Sequence, residues 1–185
     1  SVSKEDYNAN VEEAKRLLAE AGYSNGANFP VLEFKTNPGA GVTIAEAVQQ
    51  MWKENLNVDM SITQEEWSVF QKNRQTRNYT VCRADWIGDY LDPMTFAQLF
   101  TSKSAGNRVG YSNINYDNLI KEAQSTIDNN KRMSNMHMAE DMLIGDDMAL
   151  IPLYYYTAPS MKSPKLKDVV VDTLEIRRFF YSYLQ

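Results

Sequence analysis

The sequence predicts an α/β fold, a parallel or mixed sheet flanked by helices, on three observations. Runs of strand character at residues 31–35, 58–63 and 79–83 alternate with segments whose apolar residues recur at helical spacing. Gly, Asn and Pro punctuate the joints, and strand–helix–strand units of this length build right-handed crossovers within one sheet. The third run leads into Arg83-Ala84-Asp85-Trp86-Ile87-Gly88-Asp89-Tyr90-Leu91-Asp92-Pro93, which gathers three carboxylates, an arginine and two aromatic side chains. That stretch falls at a strand's carboxyl end, where open α/β sheets bind ligands.

Taken in order, Asn8 or Asn10 caps a first helix whose Glu12 and Glu13 suit its N-terminus. Val11, Ala14, Leu17, Leu18 and Ala21 form its apolar stripe, and Gly22 is its C-cap. A turn at 24–28 precedes the first strand, and Asn37-Pro38-Gly39-Ala40-Gly41 forms the loop after it. Thr43 and Glu46 make a capping box for a helix with Ile44, Ala47, Val48, Met51 and Trp52 on one face, ending near Asn55. Glu65 and Glu66 open a short helix to about Asn73. Trp67, Phe70 and Arg74 follow at spacings that put two aromatics and a guanidinium on one face; core packing with a snorkelling arginine accounts for them as well as a site does.

Asp92 is a good N-cap and Pro93 a good first residue for a helix over 94–100. After a polar loop at 101–107, Asn115 caps a helix to about Ile127 with Leu119, Ile120, Ala123 and Ile127 apolar. A second helix runs from Lys131 to about Met148. Leu150-Ile151-Pro152-Leu153-Tyr154-Tyr155-Tyr156 reads as a strand with Tyr154 and Tyr156 on one side and the proline at its start or edge. A connector at 160–167 and apolar runs at 168–171 and 179–184 complete the chain, which has no internal repeat.

With 185 residues the chain can bury a sizeable core as one domain, or one domain with an appendage. No segment approaches the apolar length that spans a bilayer. A formal net charge of −5, with scattered basic residues, argues against nucleic-acid binding, which relies on clustered Lys and Arg. Cys82 is the single cysteine, so no internal disulfide forms, and its place in a strand suits a small buried apolar role. A nucleophilic reading lacks a nearby histidine, since His137 lies far along the sequence in a helical stretch. Met133, Met136, His137 and Met138 suggest a soft metal, but methionines beside Ala139, Met142 and Leu143 are better read as adaptable core, and no metal or cofactor is expected. The first residues lack an initiating Met and an apolar signal region; a mature chain or an excised fragment fits, and the fragment is the favoured reading.

The three loop acids leave two chemistries open. Two of Asp85, Asp89 and Asp92 could serve a carboxylate-based hydrolase, while their spacing does not match an EF-hand calcium loop. Recognition of a cation fits better: Asp89 follows Gly88 and lies between Trp86 and Tyr90, whose rings lower the local dielectric around one carboxylate. Asp92 reads as structural.

Beyond these derivations, the chain resembles the second, C-terminal lobe of the oligopeptide- and dipeptide-binding extracytoplasmic proteins of ABC transporters, bacterial extracellular solute-binding family 5. The resemblance rests on Tyr7 with Glu13-Ala14-Lys15 and Leu17-Leu18-Ala19-Glu20-Ala21-Gly22, on Trp52-Lys53-Glu54-Asn55-Leu56, and on Gln64-Glu65-Glu66-Trp67. Arg83-Ala84, Trp86, Asp89-Tyr90 and Ile151-Pro152-Leu153-Tyr154-Tyr155-Tyr156 extend it. It implies a lobe of the periplasmic-binding-protein type II kind, non-enzymatic, closing with a first lobe on a peptide. Asp89 then matches the acid that pairs with the peptide's ammonium and Trp86 the aromatic beside it. Trp67, Phe70, Arg74, Arg83 and Tyr156 fall at pocket-wall positions, the two arginines facing acidic side chains or the peptide carboxylate. Asp85 departs from a frequent glycine, which would narrow the pocket or favour basic ligands, and the loop 37–41 lacks a histidine that some members place there. Nickel complexes, haem and sugars are alternative solutes within the family.

The resemblance further implies residues 1–157 as the lobe and 158–185 as a connector and segment returning to the first lobe. It implies an ABC permease partner, an extracytoplasmic location and a membrane anchor preceding the chain. Without its first lobe, the end of the chain is expected to be displaced, paired across molecules or added as a local edge strand.

Overall fold

A computed structural model describes residues 4–157, 159–172, 174 and 176–185, the Lys4 side chain excepted. The chain forms two compact units, Ser1–Asp85 and Trp86–Gln185.

In the first unit, helices α1 (Lys4–Glu20), α2 (Ala40–Leu56) and α3 (Trp67–Thr76) alternate with strands β1 (Leu32–Thr36), β2 (Met60–Gln64) and β3 (Val81–Cys82). Their order is β2-β1-β3, with every pairing parallel and Phe34 opposite both Ile62 and Val81. This is the expected α/β class, and the sheet is parallel throughout. Its core is Phe34, Ala45 and Met60, with Leu32, Val48, Trp52, Ile62 and Val81 packed around them. The apolar face of α2 therefore supplies the cover for β1 and β2.

Within this unit the starts of α1 and α2 differ from expectation. Helix α1 is already formed at Lys4, with Glu5 and Asp6 in its first turn, so Asn8 and Asn10 lie inside it and cap nothing. It ends as predicted at Gly22, φ +93°, where the Gly22 N–H donates to Ala19 O (3.0 Å) and the Tyr23 N–H to Leu18 O (2.9 Å), a Schellman closure. Helix α2 begins at Ala40, three residues before Thr43, so no capping box forms from Thr43 and Glu46. Gly39 turns the chain at φ +113°, a conformation that starts the helix earlier than a side-chain cap would.

In the second unit, α4 (Met94–Ala97) continues as a 3-10 turn, Gln98–Phe100, and α5 (Ile114–Ser125) precedes α6 (Asn129–Glu140), which widens into a π-helical turn, Asp141–Asp146. Met94, Tyr116, Ile120, Ala123, Met136, Ala139 and Leu143 form its core. The cap of α5 is Asn113, whose carboxamide oxygen accepts from the Asn115 N–H at 2.9 Å; Asn115 itself is helical, and Ile127 lies beyond the helix, fully exposed. Asp128 caps α6 by accepting from the Asn130 N–H at 2.9 Å. Met136 is core and Met133 packs against it, whereas His137 and Met138 face solvent.

The expected strand at 150–156 is absent. A strand exists by pairing its backbone groups with a neighbour. Among the described residues of this unit, the strands pair only with one another: β4 (Leu166–Lys167) with β7 (Tyr183–Leu184), and β5 (Val170–Val171) with β6 (Arg177–Arg178), both antiparallel. Ile151, Leu153, Tyr154, Tyr155 and Tyr156 are consequently exposed in irregular backbone. Among the described residues the end of the chain thus pairs locally, in a two-residue ribbon of Leu166–Lys167 with Tyr183–Leu184.

Candidate functional site

In the first unit, Arg83 and the start of α3 leave from the carboxyl ends of β3 and β2. The Arg83 N–H donates to Lys35 O and the Glu65 N–H to Thr36 O, both at 2.9 Å, so each side chain leaves from a backbone held by the central strand. The Arg83 guanidinium donates to Asn37 Oδ1 at 3.1 Å and pairs with Asp85 at 3.1 Å. Gly41 makes room for this: a Cβ there would lie 2.5 Å from Arg83 Cδ and 2.5 Å from Thr36 Oγ1. Arg83 therefore crosses the start of α2 where the helix carries no side chain.

Helix α3 presents Trp67, Phe70 and Arg74 as their spacing predicts. Glu66 caps it by accepting from the Ser68 N–H at 2.8 Å. Trp67 is half-exposed, whereas Phe70 is 1% exposed and belongs to the interior. Their ring centroids are 6.2 Å apart, and the Arg74 guanidinium carbon sits 5.6 Å from the Phe70 centroid, a cation–π contact. Arg74 donates to Gln71 Oε1 at 3.2 Å, and its buried Nε has no hydrogen-bond partner among the described residues.

Sequence reasoning missed Lys35. Its side chain is buried on the central strand, with Nζ 3.4 Å from Glu65 and 3.8 Å from Glu33, and Glu65 also accepts from Asn73 Nδ2 at 2.7 Å. No local signal marked it, since Lys35 lies in a strand that also carries Glu33 and Thr36. Cys82 is half-buried, and burial pushes its thiol above the usual range, which disfavours a thiolate at neutral pH. Burial, then Cys82, pushes the nearby Tyr79 phenol up to about 12.

In the second unit, Trp86, Asp89 and Tyr90 stand exposed along the loop before α4. The Asp89 N–H donates to Thr95 Oγ1 at 2.9 Å, while the Asp89 carboxylate has no hydrogen-bonding or ionic partner among the described residues. Asp92 is already engaged. Its Oδ1 accepts from the Met94 N–H at 2.8 Å and from Arg132 Nη2 at 2.6 Å, and Arg132, then the Met94 amide, holds the carboxyl below the usual range. The predicted helix-cap role of Asp92 is what forms; Arg132, forty residues away, carried no local signal.

The three loop acids are thus chemically distinct: one beside an arginine, one unpartnered among the described residues, one capping a helix. Asp92 is not free for the acid pair that a hydrolase requires. Tyr154 and Tyr156 share a side as expected, their rings 5.2 Å apart, although no strand carries them. No group of three or more His, Cys, Asp or Glu side chains among the described residues could hold a metal ion.

Residues 1–108 match the family described as bacterial extracellular solute-binding proteins, family 5, middle region. The oligopeptide-binding protein OppA of Bacillus subtilis is 34% identical over 162 residues, covering 86% of this chain and 30% of that protein. The periplasmic murein peptide-binding protein MppA of Escherichia coli is 33% identical over 174 residues, covering 94% and 32%. Among solved structures, Haemophilus influenzae OppA in complex with RPPGFSPFR superposes with a TM-score of 0.75 at 32% identity, over 85% of this chain and 31% of that one. The chain therefore spans about a third of the length of these relatives. With more than half of its length matched, the chain belongs to the bacterial extracellular solute-binding proteins of family 5.

Proposed function

We propose that this chain is one lobe of the extracytoplasmic substrate-binding component of an ABC importer, and that the complete protein captures peptides by closing this lobe and a first lobe around them. The observation that carries the reading is Asp89: a carboxylate unpartnered among the described residues, on a loop whose backbone is held, between Trp86 and Tyr90 in sequence, near a second acid already committed to a helix. An α-ammonium supplies what that carboxylate lacks, a charge-assisted hydrogen bond, and closure of the lobes around the peptide would strengthen it by excluding water. The family and the relatives named for peptide binding support the choice of ligand.

In this proposal Trp86 packs beside the amine, and Arg74 and Arg83 meet acidic side chains or the peptide carboxylate. Trp67 and Tyr156 form walls, Phe70 supports Arg74 from beneath, and Asp85 biases the ligand towards basic residues while holding Arg83. Residues 1–157 are the lobe. Residues 158–185 connect it back to the first lobe, whose contact would cover the exposed apolar side chains at 151–156 and 179–184. A permease receives the ligand, an anchor preceding the chain ties the protein to the membrane, and no cofactor takes part.

The test is Asp89→Asn in the complete protein. Loss of a charge-assisted bond worth roughly 1.5–3 kcal/mol raises the dissociation constant of a free-amine peptide at least about tenfold. Calorimetry showing unchanged affinity would reject Asp89 as the ammonium partner.

A further inference from the structure

We infer that Thr95 is a positioning residue for Asp89, fixing the loop that carries the carboxylate so that its charge is presented without reorganisation; the inference rests on the ammonium role proposed above. Thr95 is 1% exposed, and its Oγ1 accepts the Asp89 N–H at 2.9 Å. A buried hydroxyl thus holds the backbone of an exposed acid whose own carboxylate is tied to nothing among the described residues. Gly88 lies close against α4: a Cβ there would lie 3.2 Å from Thr95 Cγ2, a tight approach, and 3.5 Å from both Phe96 Cζ and Tyr90 O, in ordinary contact.

The platform is itself immobilised at both ends. At its start, Asp92 Oδ1 accepts from the Met94 N–H (2.8 Å) and from Arg132 of α6 (2.6 Å). Met94 is buried in the core, and at the far end Ala97 O accepts from the Tyr116 hydroxyl at 2.6 Å. Rigidity therefore passes from the α5–α6 core through α4 and Thr95 to the Asp89 backbone. Orientation fixed before binding removes an ordering cost that each capture would otherwise incur.

The experiment uses the complete protein with alanine oligopeptides of two to five residues, free and N-acetylated, read by calorimetry, and amide hydrogen exchange in the absence of peptide. In Thr95→Val, nearly isosteric but without an acceptor, the Asp89 amide should exchange at least tenfold faster. Affinity for the free-amine set should fall at least fivefold, that for the acetylated set should not change, and Thr95→Ser should restore both readouts. Asp89→Asn should abolish the preference for free amines. If it does so while T95V leaves exchange and affinity unchanged, the positioning role is wrong and the ammonium role stands. If D89N leaves the preference intact, or the wild-type protein binds neither set, the ammonium reading fails and this inference with it. A T95V loss that is equal for free and acetylated peptides, and not restored by T95S, would mark a packing effect and overturn the inference.

Discussion

Removing the Asp92 carboxylate should destabilise the second unit in two separable parts. Oδ1 serves two donors, the Met94 N–H at the start of α4 and the Arg132 guanidinium of α6. Loss of a helix cap costs about 1 kcal/mol. The ion pair is partly exposed, with side-chain exposures of 23% for Arg132 and 30% for Asp92, so screening limits it to roughly 0.5–1 kcal/mol. Asp92→Ala should therefore lower unfolding free energy by about 1.5–2 kcal/mol, and Asp92→Asn, which keeps an acceptor, by about 0.5–1 kcal/mol.

The assay is urea unfolding of the purified chain followed by tryptophan fluorescence and circular dichroism, with Arg132→Met closing a double-mutant cycle. Arg132 and the Met94 amide depress the folded carboxyl. Its contribution is hence present above the unfolded value of about 3.9 and lost as pH falls through the lower folded one. The difference between wild type and D92A should thus shrink below about pH 4. Equal stability of D92A and wild type at pH 7, or a difference that grows in acid, would refute the assignment of Asp92 as cap and ion-pair partner.

Other expectations follow from the first unit. Lys35→Met leaves the buried Glu65 without its cation, and because the pair is buried but long it should cost about 3 kcal/mol, with Lys35→Met/Glu65→Gln recovering part of the loss; denaturant midpoints of the three proteins decide this. Cys82 should react slowly with iodoacetamide at neutral pH and faster as pH rises above 9, since burial raises its thiol; rapid labelling at pH 7 in the folded chain would contradict the packing described.

Much of the fold could be read locally. The three parallel strands and the helices between them follow from short-range periodicity, and Asp92-Pro93 announced a helix start because a cap and its first turn lie within four residues. Helix boundaries slipped where two local signals competed. Gly39 started α2 before Thr43 could cap it, and Asn113 capped α5 ahead of Asn115. The strand expected at 150–156 failed for a different reason, since its composition was right but no partner edge was present among the described residues.

The same division holds for the candidate site. By itself the sequence determined the identity and order of the loop residues, the shared face of Trp67, Phe70 and Arg74, and the likeness to a solute-binding family, because all of these lie in contiguous or regularly spaced residues. Only the tertiary structure decided which of three similar acids is unpartnered among the described residues, that Lys35 is buried in an ion pair, and that Thr95 accepts the Asp89 N–H. Those outcomes depend on distances between side chains up to forty residues apart in sequence, which burial and hydrogen-bond geometry set once the chain is folded.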